Sequence, residues 1–236
     1  MEKVIIAGGT SGMGLSTAKL LSSKGYQVTV LGRSPEKLKK ALDEIGPAAA
    51  GKSVDARDTD GLREVFKTAG EFDHLVICIS GGKGIGAFRD LDLGVLREGF
   101  DEKFFPQLQT AQEALPYLHP TGSITFITAV SAQSKLQGTS GLGAVNGALE
   151  IMVPTLAKEL KPLRVNAVSP GVIDTAWWDF LATDQKKETF ETYAKSIPAG
   201  RIGAPEEVAA MIVALIENAY VTGQVIAVDG GISLGQ

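Results

Sequence analysis

An α/β fold, a doubly wound parallel sheet of about seven strands with helices on both faces, is predicted by three observations. Short β-branched runs alternate with helical stretches along the chain. Several of these runs, such as HLVICIS, are apolar nearly throughout, as strands covered on both faces must be. Strand, helix and strand repeated in this way connect parallel neighbours through right-handed crossovers.

The elements follow in order. KVIIAG (3–8) is the first strand and leads into a helix over 13–23. QVTVLG (27–32) precedes a helix over 35–45, and GKSVD (51–55) one over 58–69. HLVICIS (74–80) is followed by a long helix, roughly 95–118, and GSITFIT (122–128) by another, roughly 140–160. LRVNAVSP (163–170), a helix over 205–217 and GQVIAVD (223–229) complete the series. Pro106 and Pro154 each remove a backbone bond, to Glu102 and Glu150, and predict local bends. Residues 176–199 interrupt the rhythm after the sixth strand, where a lid over a site would sit. With no internal repeat or linker, the expectation is one domain over 1–236.

Composition narrows the function. The 236 residues are 44% apolar and 21% charged, with a net charge of −4. No basic excess is left to neutralise phosphates, so no nucleic-acid partner is expected. No apolar run approaches the ~20 residues that span a bilayer, and MEKVIIAGG breaks too early for a signal peptide. The lone Cys78 cannot form an internal disulfide. A cytoplasmic protein is therefore expected. His74 and His119 have no ligand-spaced partners, which argues against a metal site and against a Ser/His nucleophile.

The stretch IIAGGTSGMG places Gly8, Gly12 and Gly14 between the first strand and the first helix. That spacing suits a tight turn whose amides, with Thr10, Ser11 and Met13, face a diphosphate at a helix N-terminus. The second strand ends in Gly32-Arg33-Ser34, with no acid for a ribose 2′-hydroxyl. A guanidinium fork and a hydroxyl there favour NADP(H); the alternative is a solvated surface arginine. Asp55, followed by Ala56, either accepts from the adenine amino group or caps the next helix.

GGTSGMG, GRSPEKL, GSITFIT, LAKEL, RVNAVSPGVIDT, RIGAPEEVA and VTGQVIAVDGG, in this order, resemble the short-chain dehydrogenase/reductase family from end to end. The resemblance implies a Rossmann-type fold and oxidoreductase activity. It assigns Pro170, Gly171, Val172, Ile173 and Thr175 to nicotinamide and diphosphate contacts. It also implies a homodimer or homotetramer built on helices 95–118 and 140–160 and on the last strand. An apolar stripe of Leu142, Val145, Leu149, Met152 and Leu156 is compatible with that interface or with internal core.

The family's four polar catalytic residues are missing. In the register set by GSITFITAVS and GALE, the Ser position is Ala129, the Tyr position Leu142 and the Lys position Asn146. The Asn position is Lys103, and part of CISGGKG (Ser80, Gly81, Gly82) replaces the family's NNAG loop. Hydride transfer to a carbonyl still needs charge stabilisation and a proton at the oxygen.

Two readings follow. One is an enzyme with a rebuilt site. In it Lys103 fills the gap beside Asn146, and Thr128 keeps a hydroxyl near the nicotinamide. Ser131, Ser134 and Tyr193 are further candidates. Trp177, Trp178 and Phe180 wall a pocket, with Ala129 and Leu142, for a small or medium carbonyl or alcohol. The bland alternatives are an exposed helix lysine with buried Phe104 and Phe105 beside it, ordinary strand-end hydroxyls, and tryptophans that merely close the segment onto the core. The other reading is a non-catalytic NADP(H)-binding protein, a redox sensor or partner subunit.

Overall fold

The computed structural model describes residues 1–234. Seven strands form one all-parallel sheet in the order β3-β2-β1-β4-β5-β6-β7: β1 Lys3–Ala7, β2 Gln27–Gly32, β3 Ala50–Ser53, β4 Phe72–Ile77, β5 Leu118–Ile127, β6 Arg164–Pro170 and β7 Val225–Val228. The order reverses between β1 and β4, so a crevice opens at the carboxyl ends of these strands. One apolar layer, containing Phe66, Phe72, Phe126 and Leu149, fills one face of the sheet. A second, containing Val4, Leu21, Val168 and Ile212, fills the other. Covering both faces explains why β6 is buried at every position.

The connecting helices are α1 Gly12–Ser23, α2 Pro35–Ile45, α3 Thr59–Ala69, α4 Leu93–Gly99, α5 Phe105–Ala114, α6 Ser140–Glu159, α7 Thr183–Ser196 and α8 Pro205–Glu217. The long helix expected over 95–118 is divided. A π turn over Phe100–Phe104 separates α4 from α5, and the Phe105 N–H reaches back to the Phe100 carbonyl. Pro106 has no N–H for Glu102, so the wider turn relocates the ladder there. An extra residue in a turn rotates the following face by about 100°. Lys103 is buried and Phe105 exposed, against the bland expectation for both, while Phe104 packs against the core as expected. Pro154 leaves α6 unbroken.

The stripe on α6 is divided between core and periphery. Val145 and Leu149 are buried, and Leu156 packs against the core, so these positions serve the interior. No helix among the described residues is long and apolar enough to cross a membrane. No group of three or more His, Cys, Asp or Glu that could hold a metal ion occurs among them.

Candidate functional site

A cleft of about 380 Å3 lies over the carboxyl ends of β1, β2 and β4. Its floor is built by close backbone approach. Gly8 has φ +77°, and a Cβ there would lie 2.6 Å from the Cys78 carbonyl oxygen. A Cβ on buried Gly14 would run into the Gly8 carbonyl and lie 2.9 Å from the Gly9 Cα. Gly12 has φ +50° and faces Thr175, whose methyl would be 3.2 Å from an added Cβ. Ser11 precedes α1 without a side-chain cap bond, and the first turn of α1 holds no acid. The first-turn amides beside Thr10 and Ser11 are thus left for an anion. Met13 instead packs against the apolar layer and accepts the Thr17 hydroxyl at 2.8 Å.

At the tip of β2, Arg33 and Ser34 line the same cleft. Ser34 caps α2 by accepting the Lys37 N–H at 3.2 Å. That turn brings Lys37 into the cleft lining as a second cation. Sequence reasoning passed over Lys37, although its place three residues past the cap was the available signal. Asp55 and Ala56 line the far wall. Asp55 is not the helix cap; Asp58 is, accepting the Gly61 N–H at 3.0 Å. Asp55 instead grips Arg57 through contacts of 3.1 and 2.6 Å. This hydrogen-bonded pairing holds the Asp55 carboxyl down at about 2.

The second half of the site lies at the ends of β4, β5 and β6. Lys103 is only 6% exposed. Its Nζ donates to the Thr128 carbonyl at 3.0 Å, and burial pulls the amine down to about 8. One turn later Gln107 donates to the Ile79 and Ile127 carbonyls at 2.9 and 3.0 Å, so this helix face clamps the ends of β4 and β5.

The Thr128 hydroxyl donates to Glu150 Oε1 at 2.9 Å and the residue is buried, as an ordinary strand-end hydroxyl would be. Ser169 donates to the same oxygen at 2.9 Å, and Gln133 to Oε2 at 2.9 Å. Leu142, Asn146 and Glu150 follow one another at i+4 on one face of α6. The helix therefore carries an acid one turn beyond Asn146. In the sequence Glu150 stands out only as the residue whose backbone bond Pro154 removes; its i+4 place was the signal for its position.

Asn146 donates to the Leu142 carbonyl at 2.9 Å and to Ser131 Oγ at 3.0 Å. Its Oδ1 is buried without a partner. Ser134 Oγ is likewise buried and unpartnered. Ala129 follows β5 and offers no polar side-chain atom.

After Pro170, the Gly171 N–H bonds the Val228 carbonyl at 3.0 Å, and the Val172 carbonyl accepts from Gly203 at 3.0 Å. Ile173 pairs with Gly203 and is buried. Thr175 caps the next turn by accepting the Trp177 N–H at 3.3 Å. The Trp177 indole donates to the Gly81 carbonyl at 3.4 Å and packs on Gly82. The residue 176–199 segment is thereby joined to the loop that holds Ser80, Gly81 and Gly82. Trp178 donates to the Ile173 carbonyl at 3.0 Å. Both indoles meet Phe180, with ring centroids 5.3 and 6.2 Å away, and Trp178 also meets Tyr193 at 6.0 Å. Tyr193 thus belongs to this aromatic cluster, while Phe180 forms its exposed outer edge.

Residues 7–233 match the family described as Enoyl-(Acyl carrier protein) reductase. The chain is 34% identical over 250 positions to carbonyl reductase family member 4 of Xenopus laevis, covering 99% of each. It is 32% identical over 252 positions to human 3-oxoacyl-[acyl-carrier-protein] reductase, again covering 99% of each. Among solved structures, a small-chain dehydrogenase in complex with NADPH superimposes with a TM-score of 0.86 at 31% identity and 99% coverage of both chains. With its parallel sheet, its glycine turn under the cleft and these relatives, the chain belongs to the short-chain dehydrogenase/reductase family.

Proposed function

We propose that the protein is an NADP(H)-dependent oxidoreductase that interconverts a small or medium carbonyl compound and its alcohol. Residues 1–236 act as one unit, with the 176–199 segment as its lid. The observation that carries this reading is Lys103, an amine buried at the end of β5 near Cys78, which lines a cleft whose residues suit a dinucleotide. The fit to that group rests on the glycine cradle, the anion-receptive start of α1 and the two cations beside Ser34. The NADPH complex of a related dehydrogenase points the same way.

When bound, NADPH supplies the hydride. The chain's own residues do the rest. The amides from Gly8 to Gly14 hold the diphosphate, with the Pro170–Thr175 loop closing against them. Arg33, Ser34 and Lys37 hold the 2′-phosphate. Asp55 and Ala56 border the adenine. Asn146 Oδ1, a buried acceptor lacking a donor, receives a ribose hydroxyl. Lys103 uses one of its three protons on the Thr128 carbonyl. Its remaining protons serve the carbonyl oxygen as acid, or the ribose as anchor. Trp177, Trp178, Ala129 and Leu142 exclude water and favour apolar substituents, with Phe180 on the solvent side of the cluster. The exposed Phe105 and Ile151, on the outer faces of α5 and α6, suit assembly into a homodimer or homotetramer.

Lys103→Ala tests the reading. Turnover of a carbonyl panel with NADPH should fall at least about 100-fold, the scale of a lost acid catalyst, with NADPH affinity retained. Loss of affinity instead assigns Lys103 to the ribose. The absence of a polar side-chain atom at Ala129 and Leu142 favours the second reading, a non-catalytic NADP(H)-binding protein. That reading wins if the unmodified protein binds NADPH yet turns over nothing.

A further inference from the structure

Thr128 is held from two sides. Its carbonyl receives the Lys103 amine at 3.0 Å, and its hydroxyl is donated to Glu150 at 2.9 Å. Glu150 also receives the hydroxyl of fully buried Ser169 from β6 and the amide of Gln133 from the loop after β5. Three donors from three parts of the chain thus fix one carboxylate at the ends of β5 and β6. The ionisable groups that face Lys103 from other elements are Cys78 at the end of β4 and Glu150 on α6. Burial pushes the Cys78 thiol up to about 12, so it stays neutral near neutral pH. Among the described residues this leaves Glu150 as the charge that acts on the buried amine from another element.

We infer that Glu150 is a positioning residue. Its carboxylate, acting through Thr128, fixes the strand-end carbonyl on which the Lys103 amine rests, and it supplies the negative charge that this buried amine faces. The acid missing from the Leu142 position has a counterpart two turns along the same face of α6. It works through Lys103 and not on the substrate. This deepens the reading of Lys103 given above and rests on it for its catalytic consequence, but the electrostatic pairing can be read without any turnover.

A solely structural tie predicts something different. Glu150→Gln keeps an oxygen that can accept from Thr128 and Ser169, and it removes the charge. The test follows the 13Cε resonance of Lys103 with pH in protein labelled at lysine, assigned by its disappearance in Lys103→Met. In the unmodified protein the midpoint should be about 8. Glu150→Gln should lower it by about one pH unit or more, because a neighbouring negative charge favours the ammonium. Glu150→Asp should recover part of the shift, and Glu159→Gln, on the exposed end of the same helix, should cause none. Thr128→Val breaks only the hydroxyl tie and serves if Glu150→Gln does not fold; it should move the midpoint in the same direction by less. An unmoved midpoint in the folded Glu150→Gln protein, or in Thr128→Val when Glu150→Gln does not fold, overturns the proposal. Retained turnover in Lys103→Ala overturns the catalytic reading of Lys103 alone and leaves the pairing standing.

Discussion

The two halves of the crevice are built by different means. Over β1 and β2 the shape comes from backbone. Gly8, Gly12 and Gly14 are needed because any side chain would meet the neighbouring main chain or Thr175. At the ends of β5 and β6 the shape comes from side chains that reach across elements: Lys103 to Thr128, Thr128 and Ser169 to Glu150, Asn146 to Ser131. A backbone cradle tolerates almost no change, because a Cβ cannot be moved aside. A side-chain network can be rewritten, provided each buried polar group finds a new partner. In this chain the first half rests on such a cradle and the second on such a network.

The strongest way to break that comparison is Gly14→Val. Its side chain would enter the space of the Gly8 carbonyl and the Gly9 backbone. NADPH binding, followed by fluorescence titration, should vanish, and the melting temperature should fall. Retained binding would mean that the cradle is adaptable after all.

Arg33→Asp should have the next largest effect. Losing a charged hydrogen-bonding partner costs about 1.5–3 kcal/mol, roughly a 10- to 100-fold weaker NADPH affinity. NADH binding should improve, since an acid suits a free 2′-hydroxyl. Equal affinities of the unmodified protein for the two cofactors would remove Arg33 from the argument.

Lys103 sharpens the comparison through stability. Burial pulls its amine down to about 8 in the folded chain, against an ordinary value of 10.5. Between these values the unfolded chain holds the proton more tightly than the folded chain does. Stability therefore rises with pH across that window. Below it, burying the ammonium costs on the order of 3 kcal/mol. Lys103→Met should accordingly gain on the unmodified protein below pH 8, and the difference should shrink up to about pH 10.5. Parallel melting curves at all pH values would show an amine that is solvated in solution.

The smallest effect concerns assembly. Ile151→Glu places a charge on an exposed face of α6 and should leave the fold and the melting temperature nearly unchanged. Light scattering should then show a smaller mass than that of the unmodified protein, if this face joins copies of the chain. Equal masses would exclude it.

The strand and helix rhythm was legible because its causes are local. Apolar runs, glycines between strand and helix, and Pro35 behind Ser34 act within a few residues. The same holds for the cofactor turn and for the Gly32-Arg33-Ser34 tip, whose place after a strand decides what they face. That Leu142 and Asn146 share a face of α6 was also readable, since i+4 spacing survives folding. Lys103 was named from its register, but the partners it takes were not. That Lys103 lies in a π turn over Phe100–Phe104 and reaches the Thr128 carbonyl depended on the folded chain. That Thr128 turns its hydroxyl to Glu150, and that Ser169 and Gln133 converge there, depended on strand and helix ends far apart in the chain. Periodicity tells which side of an element a residue occupies. Only tertiary packing sets which distant polar atoms come within about 3 Å, because each must find a partner once water is excluded.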